Sequence, residues 1–119
     1  MHISGTQVGD VTILDLQRGV FLGNDYEILK DRVDTLLRDG RTKIILNMED
    51  VPVLTDAGLG TIVMCHICTV GAGGSLRLLK LSERVKSIFK VTKLASVFET
   101  FDSEDEAVAS FAPRTEATK

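Results

Sequence analysis

The residues that could do chemistry crowd into one stretch. Val51-Pro52-Val53-Leu54-Thr55-Asp56-Ala57-Gly58-Leu59-Gly60 carries a hydroxyl, a carboxylate and two glycines. Glu49 and Asp50 stand just before it, and Cys65, His66 and Cys68 just after. Asp56 could accept a phosphoryl group if magnesium were held by further acids beside it, but nothing in the sequence brings Glu49 and Asp50 to it. Cys65 and Cys68 share a helix face while His66 points about 100° away. The only other histidine, His2, stands at the terminus, so no tetrahedral metal set is composed. There is no Ser-His-Asp order and no phosphate loop. What remains is recognition, by a chain read as a binding protein with no enzymatic activity, no metal and no cofactor.

Two elements must position this stretch. Lys43-Ile44-Ile45-Leu46-Asn47 is apolar enough to be a strand buried on both faces. A helix starting near Ala57 carries Leu59, Ile62, Val63, His66, Ile67 and Val70 at helical spacing. Asp56 then falls at the helix N-cap, where its carboxylate accepts from first-turn amides at the positive end of the helix dipole. Gly58 and Gly60 leave the turn open to close approach. If Leu59, Ile62, Val63, His66 and Val70 face the sheet, Thr61, Met64, Cys65 and Cys68 face outward without a charge. An uncharged outer row predicts a protein interface, with a partner or with a second copy of the chain. No charged residue lies between Ala57 and Leu76, yet Gly71-Ala72-Gly73-Gly74 interrupts that run, so it is too short to span a bilayer.

The rest of the chain alternates. Gln7-Val8 and Val11 to Leu16 read as a hairpin turned by Gly9-Asp10. A short strand or turn follows around Val20-Phe21-Leu22, and Asn24 is a candidate cap. A helix from Asp25 to Arg38 buries Tyr26, Leu29, Val33, Leu36 and Leu37 and ends at Gly40. Ser75 to Leu79 is a strand, and Ser82 caps a third helix with Val85, Ile88, Phe89 and Leu94 inward. Val97 to Phe101 reads as a last strand. Ser103-Glu104-Asp105-Glu106 is a capping box for a final helix to about Phe111. This order predicts an α/β fold: one domain over residues 1–119, a four- to five-stranded mixed sheet, and about four helices mainly on one face. The folded core is expected over 7–111, with a loose tail at 112–119.

Charge and composition narrow the function. Seventeen acidic against fourteen basic residues leave a net charge of −3, which argues against bulk nucleic-acid binding. Two cysteines on one helix imply no disulfide framework. Met1-His2-Ile3-Ser4-Gly5-Thr6 has neither a basic region nor an apolar run, so the cytoplasm is the expected compartment, with no direct membrane insertion. The basic run Arg77, Lys80, Arg84, Lys86, Lys90 and Lys93 and the acidic run Glu99 to Glu106 read as solvated faces that could also steer a partner.

Ile44 to Val51, three residues, then Thr55-Asp56-Ala57-Gly58-Leu59-Gly60 resembles the signature of the STAS domain. More narrowly it is similar to the bacterial anti-sigma factor antagonists, whose pattern is a hydrophobic strand, a short loop and Asp-Ser-[Ser/Ala/Thr]-Gly-Leu-Gly. Gly71, Gly73 and Gly74 before a strand, Val85 to Phe89, and Phe98 to Phe101 with its acidic helix agree in place and order. The resemblance implies an STAS-like fold over about residues 7–111 and a partner switch. In that family a kinase-type anti-sigma factor phosphorylates the signature serine, and the unphosphorylated antagonist binds that kinase and frees a sigma factor. Asp56 stands at the serine's position, Thr55 stands where the family has aspartate, and Leu22 stands where an acidic residue is common.

Asp56 is then a helix cap, a fixed charge imitating the phosphorylated state, or a docking residue. The working surface implied is Leu54, Thr55, Asp56, Ala57, Gly58 and Met64. Two other STAS roles fit the missing serine: a subunit bracing a lipid-transport ATPase assembly, and a scaffold component of a signalling complex, which would self-associate.

Overall fold

The strand at Lys43–Asn47 is apolar along its centre, and it occupies the middle of the sheet with Ile44, Ile45 and Leu46 all inaccessible. Around it a computed structural model describes residues 3–16, 26–51 and 54–111. The elements are β1 (Ser4–Val8), β2 (Val11–Asp15), α1 (Tyr26–Arg38), β3 (Lys43–Asn47), α2 (Asp56–Gly71), β4 (Ser75–Leu79), α3 (Glu83–Val91), β5 (Thr100–Phe101) and α4 (Glu104–Ala109). The five strands lie in the order β1-β2-β3-β4-β5. β1 runs antiparallel to β2, and all other pairs are parallel. The sheet is therefore mixed, as the alternation of strands and helices requires. The short strand or turn expected around Val20-Phe21-Leu22, the Asn24 cap and the tail lie outside the described residues.

Side-chain alternation divides the core. Leu14, Ile44, Leu46, Leu76 and Leu78 point to one face, where Leu29 and Val33 of α1, Ile62 and Cys65 of α2, and Val85 and Phe89 of α3 cover them. Val11, Ile13, Ile45 and Leu79 point to the other, where Ala107 of α4 packs. Among the described residues, three helices thus share one face and α4 covers the opposite one. Gly40, at φ +80°, ends α1 in a conformation that suits glycine. Gly74 is a packing glycine: a Cβ there would lie 2.0 Å from the Thr42 carbonyl oxygen.

The last third differs from expectation in two places. The strand is two residues long, where Val97 to Phe101 was expected. The amides of Val97 and Phe98 donate to the Leu94 carbonyl at 2.9 and 3.3 Å, so the chain is still turning there and cannot join a ladder. Phe98 is nonetheless buried, its ring 5.4 Å from that of Phe89. The final helix stops at Ala109, two residues early. Ser103 and Ser82 do cap their helices, accepting from the amides of Glu106 and Val85.

Candidate functional site

The three parallel strands β2, β3 and β4 end level, with Asp15, Asn47 and Leu79 in register. The carboxyl ends of parallel strands are where open α/β sheets place their sites. Here the ladder continues past the strands and fixes the loop to α2. The Leu16 amide donates to the Asn47 carbonyl at 3.1 Å and the Met48 amide to that of Leu79 at 2.8 Å. Asn47 clamps both sides: its Nδ2 donates to Asp15 Oδ1 at 2.8 Å, and its Oδ1 accepts from the Glu49 amide at 3.1 Å. Met48 and Val51 are inaccessible, so the loop leaves the sheet under packing as well as hydrogen bonds. Lys80 holds a left-handed φ of +58° beside it, donating its amide to Phe101 at 2.7 Å and pairing its Nζ with Glu49 at 3.6 Å.

The start of α2 corrects the sequence reading by one residue. Thr55, not Asp56, is the N-cap: its backbone is extended at φ −83° and ψ 168°, and its Oγ1 accepts from the Gly58 amide at 3.0 Å. A threonine hydroxyl reaches the third amide as an aspartate would, so the residue one step earlier takes the role. Asp56 is the first helical residue and is exposed. Among the described residues it makes no hydrogen bond or ion pair, which leaves its carboxylate free at the positive helix end.

The faces of α2 are also rotated from expectation. Its buried residues are Gly58, Thr61, Ile62, Cys65 and Thr69. Thr61 and Cys65, expected outside, are inside, while Val70, expected inside, is 53% exposed, and Ile67 of the same apolar row is 55% exposed. Hydropathy misjudges this helix because its hydroxyls are satisfied internally. Thr61 Oγ1 donates to the Ala57 carbonyl at 2.9 Å and Thr69 Oγ1 to that of Cys65 at 2.7 Å, so burying them costs little. Small inner residues let α2 sit close to the sheet, with Leu59 and Val63 packed at the margin of the core. His66 is half-buried, its ring 4.8 Å from that of Phe98. The outer row is therefore Asp56, Ala57, Gly60, Met64 and Ile67, with Val70 beside it.

Of the expected contact residues, Thr55, Asp56, Ala57 and Met64 are exposed, and Leu54 and Gly58 are buried. Those two support the turn from beneath. A groove of about 400 Å³ runs along the exposed set between α1 and α2, lined by Glu27, Lys30, Ala57, Gly60, Thr61 and Met64. Gly60 was read from sequence as open to close approach, but Glu27 was not singled out, although Glu27 and Lys30 are three apart and so share a helix face. Lys30 is tied to Asp34, whose two oxygens accept from Nζ at 2.9 and 2.8 Å, and this pairing pushes the lysine pKa up.

The cysteines take no visible part in a site. Burial pushes the Cys65 thiol up to about 12, so it behaves as a small hydrophobe, and Cys68 is half-buried. Among the described residues no group of three or more His, Cys, Asp or Glu could hold a metal ion. No helix among them is long and apolar enough to cross a membrane. The basic run is partly internal. The Arg77 guanidinium lies 3.9 Å over the Phe111 ring and pairs with Glu99 at 3.1 Å, and Lys86 reaches Asp102 at 3.8 Å.

The family model of the STAS domain matches residues 2–107. The chain belongs to the STAS domain family. Within it, this STAS domain is 30% identical over 101 residues to a candidate anti-sigma factor antagonist of Thermotoga neapolitana, covering 85% of this chain and 89% of that protein. The crystal structure of a candidate anti-sigma factor antagonist from Thermotoga maritima matches it with a TM-score of 0.80 at 26% identity, over 91% of this chain and 92% of that one. The Bacillus cell-fate determinant SpoIIAA in its phosphorylated form shares the fold, with a TM-score of 0.71 at 19% identity over 92% and 99% of the two chains. This STAS domain is thus of the anti-sigma-factor-antagonist type, and the mixed five-stranded sheet with four helices is that fold.

Proposed function

We propose that this STAS domain binds a kinase-type anti-sigma factor in a bacterial partner switch, and that Asp56 gives its docking surface a charge no phosphorylation sets. The observation that carries this is the position of Asp56. It is exposed at the first turn of α2, at the head of an outer row with no other charge, and the resemblance to the family signature puts it at the serine's position. Recognition by a protein partner agrees with the named relatives and with the exposed apolar Met64 and Ile67.

A carboxylate brings one charge and two oxygens, against a phosphate's charge of about −1.5 to −2 and three oxygens. Asp56 therefore reproduces the phosphorylated state only in part. Thr55 does not take over the serine's part: its hydroxyl is engaged with Gly58 as the cap. The surface consists of Thr55, Asp56, Ala57, Gly60, Met64 and Ile67, with Leu54 and Gly58 shaping the turn beneath.

Calorimetric binding to the host's kinase-type anti-sigma factors tests this, with wild type, Asp56→Ser and Asp56→Ala. Both variants are expected to move affinity in one direction by about tenfold or more, as interfacial charges do. A gain makes Asp56 a permanent off-state charge, and a loss makes it a docking residue. Unchanged affinity refutes the role of Asp56, and an absence of binding by all three refutes the kinase partnership.

A further inference from the structure

The groove between α1 and α2 has an apolar floor and an acidic rim. We propose that it receives a lysine or arginine side chain of the protein partner, the aliphatic stem lying on Ala57, Gly60 and Met64 and the cationic head meeting Glu27. This rests on the docking reading above and names the chemistry that the docking surface selects.

The floor comes from sequence. Ala57, Gly60 and Met64 follow one another along the outer row of α2, and Gly60 leaves a gap: a Cβ built there meets nothing within 4 Å. The resulting space, about 400 Å³, is open to a long unbranched chain. Lysine and arginine have such a chain, with a charge at its tip.

The rim decides the sign of that charge. Lys30 lines the groove, but both oxygens of Asp34 hold its ammonium, so the pair is neutral overall. Glu27, in the first turn of α1, makes no ion pair or hydrogen bond among the described residues, so with Lys30 paired its carboxylate is the unpaired charge of the described lining. The start of α1 sets about half a positive charge against it, so a net negative charge of about half a unit remains. An anion is repelled there, and a neutral chain leaves the carboxylate unused. A cation with an apolar stem satisfies both floor and rim.

The full chain, labelled with nitrogen-15, is titrated with n-butylguanidinium chloride and in parallel with sodium pentanoate. Saturable shifts of the Ala57, Gly60, Thr61 and Met64 amides are expected with the cation alone. Glu27→Gln is expected to weaken the cation about fivefold or more, and Glu27→Lys to abolish its binding, in line with loss of one partner of a charge pair. Gly60→Leu is expected to abolish it by filling the groove. No saturable shift, equal binding of pentanoate, or indifference to Glu27→Gln overturns the proposal. The titration uses no protein partner, so its failure leaves the calorimetric result standing. Conversely, success here with no kinase binding overturns only the partner assignment.

Discussion

Thr55 and Asp56 are neighbours at the start of α2, and the stabilities of their variants should separate their roles. Thr55→Ala removes the Oγ1 that accepts from the Gly58 amide at 3.0 Å. Loss of such a cap costs about 1 kcal/mol. Asp56→Ala removes an exposed charge at the helix start, worth about 0.3–1 kcal/mol at low salt. It also replaces aspartate with the better helix former, which returns several tenths of a kcal/mol. The net change for Asp56→Ala is thus close to zero, and the two variants should differ by about 1 kcal/mol. With a urea m-value of about 2 kcal/mol/M, that is roughly 0.5 M in midpoint. Urea melts followed by far-UV circular dichroism, at low and at high salt, measure it. Thr55→Ser should keep most of the wild-type stability. If Asp56→Ala lost as much as Thr55→Ala, or Thr55→Ala lost nothing, the cap assignment would be wrong. The expected result makes Asp56→Ala a variant whose binding defects are not folding defects.

Other outcomes follow from buried groups. The Cys65 thiol stays protonated in the native chain until about pH 12, against an ordinary value of 9.0, while the unfolded chain ionises first. Stability should therefore fall as pH rises through that window, by about 1.4 kcal/mol per pH unit, and Cys65→Ala should remove that part of the slope. At pH 8 the native chain should be alkylated by iodoacetamide at Cys68 well before Cys65, read by peptide mass spectrometry. Gly60→Ala should stabilise by about 0.5–1 kcal/mol, since its Cβ meets nothing and alanine favours the helix. Gly74→Ala should cost about 1–3 kcal/mol or more by thermal melting, because its Cβ would strike the Thr42 carbonyl.

The elements were largely legible because their signals were local. Ile44-Ile45-Leu46 announced a two-sided strand, Gly40 and Gly73-Gly74 ended helices, and Ser82 and Ser103 capped them where expected. The order of strands and helices followed from those signals and the connection rules alone. What failed was rotation. The row Leu59, Ile62, Val63, His66, Ile67 and Val70 is apolar, yet the inner face belongs to Gly58, Thr61, Ile62, Cys65 and Thr69. A helix apolar on every side gives periodicity no contrast, and side-chain size and internal hydrogen bonding then decide which face goes in. The cap shifted for a related reason, since threonine and aspartate are both good caps and only the backbone at Thr55 distinguishes them. The groove is a property of two helices side by side, so no spacing within either one announces it, although the signature stretch does mark the edge on which it lies.

The rotation of α2 has a consequence for how variation in this chain is read. Thr61, Cys65 and Thr69 answer to the fold, and Met64, Ile67 and Val70 are exposed to whatever docks. The two sets interleave along sixteen residues of one helix. A screen for folded protein should be sensitive to the polar-looking set and nearly blind to the apolar one, while a screen for partner capture should also detect the second. A substitution table ranked by hydrophobicity would assign them the wrong way round. On the docking reading proposed above, polar replacements at Met64 and Ile67 should yield chains that fold and remain abundant but no longer dock. Variants of that kind pass any screen for folded protein and register only where docking itself is measured.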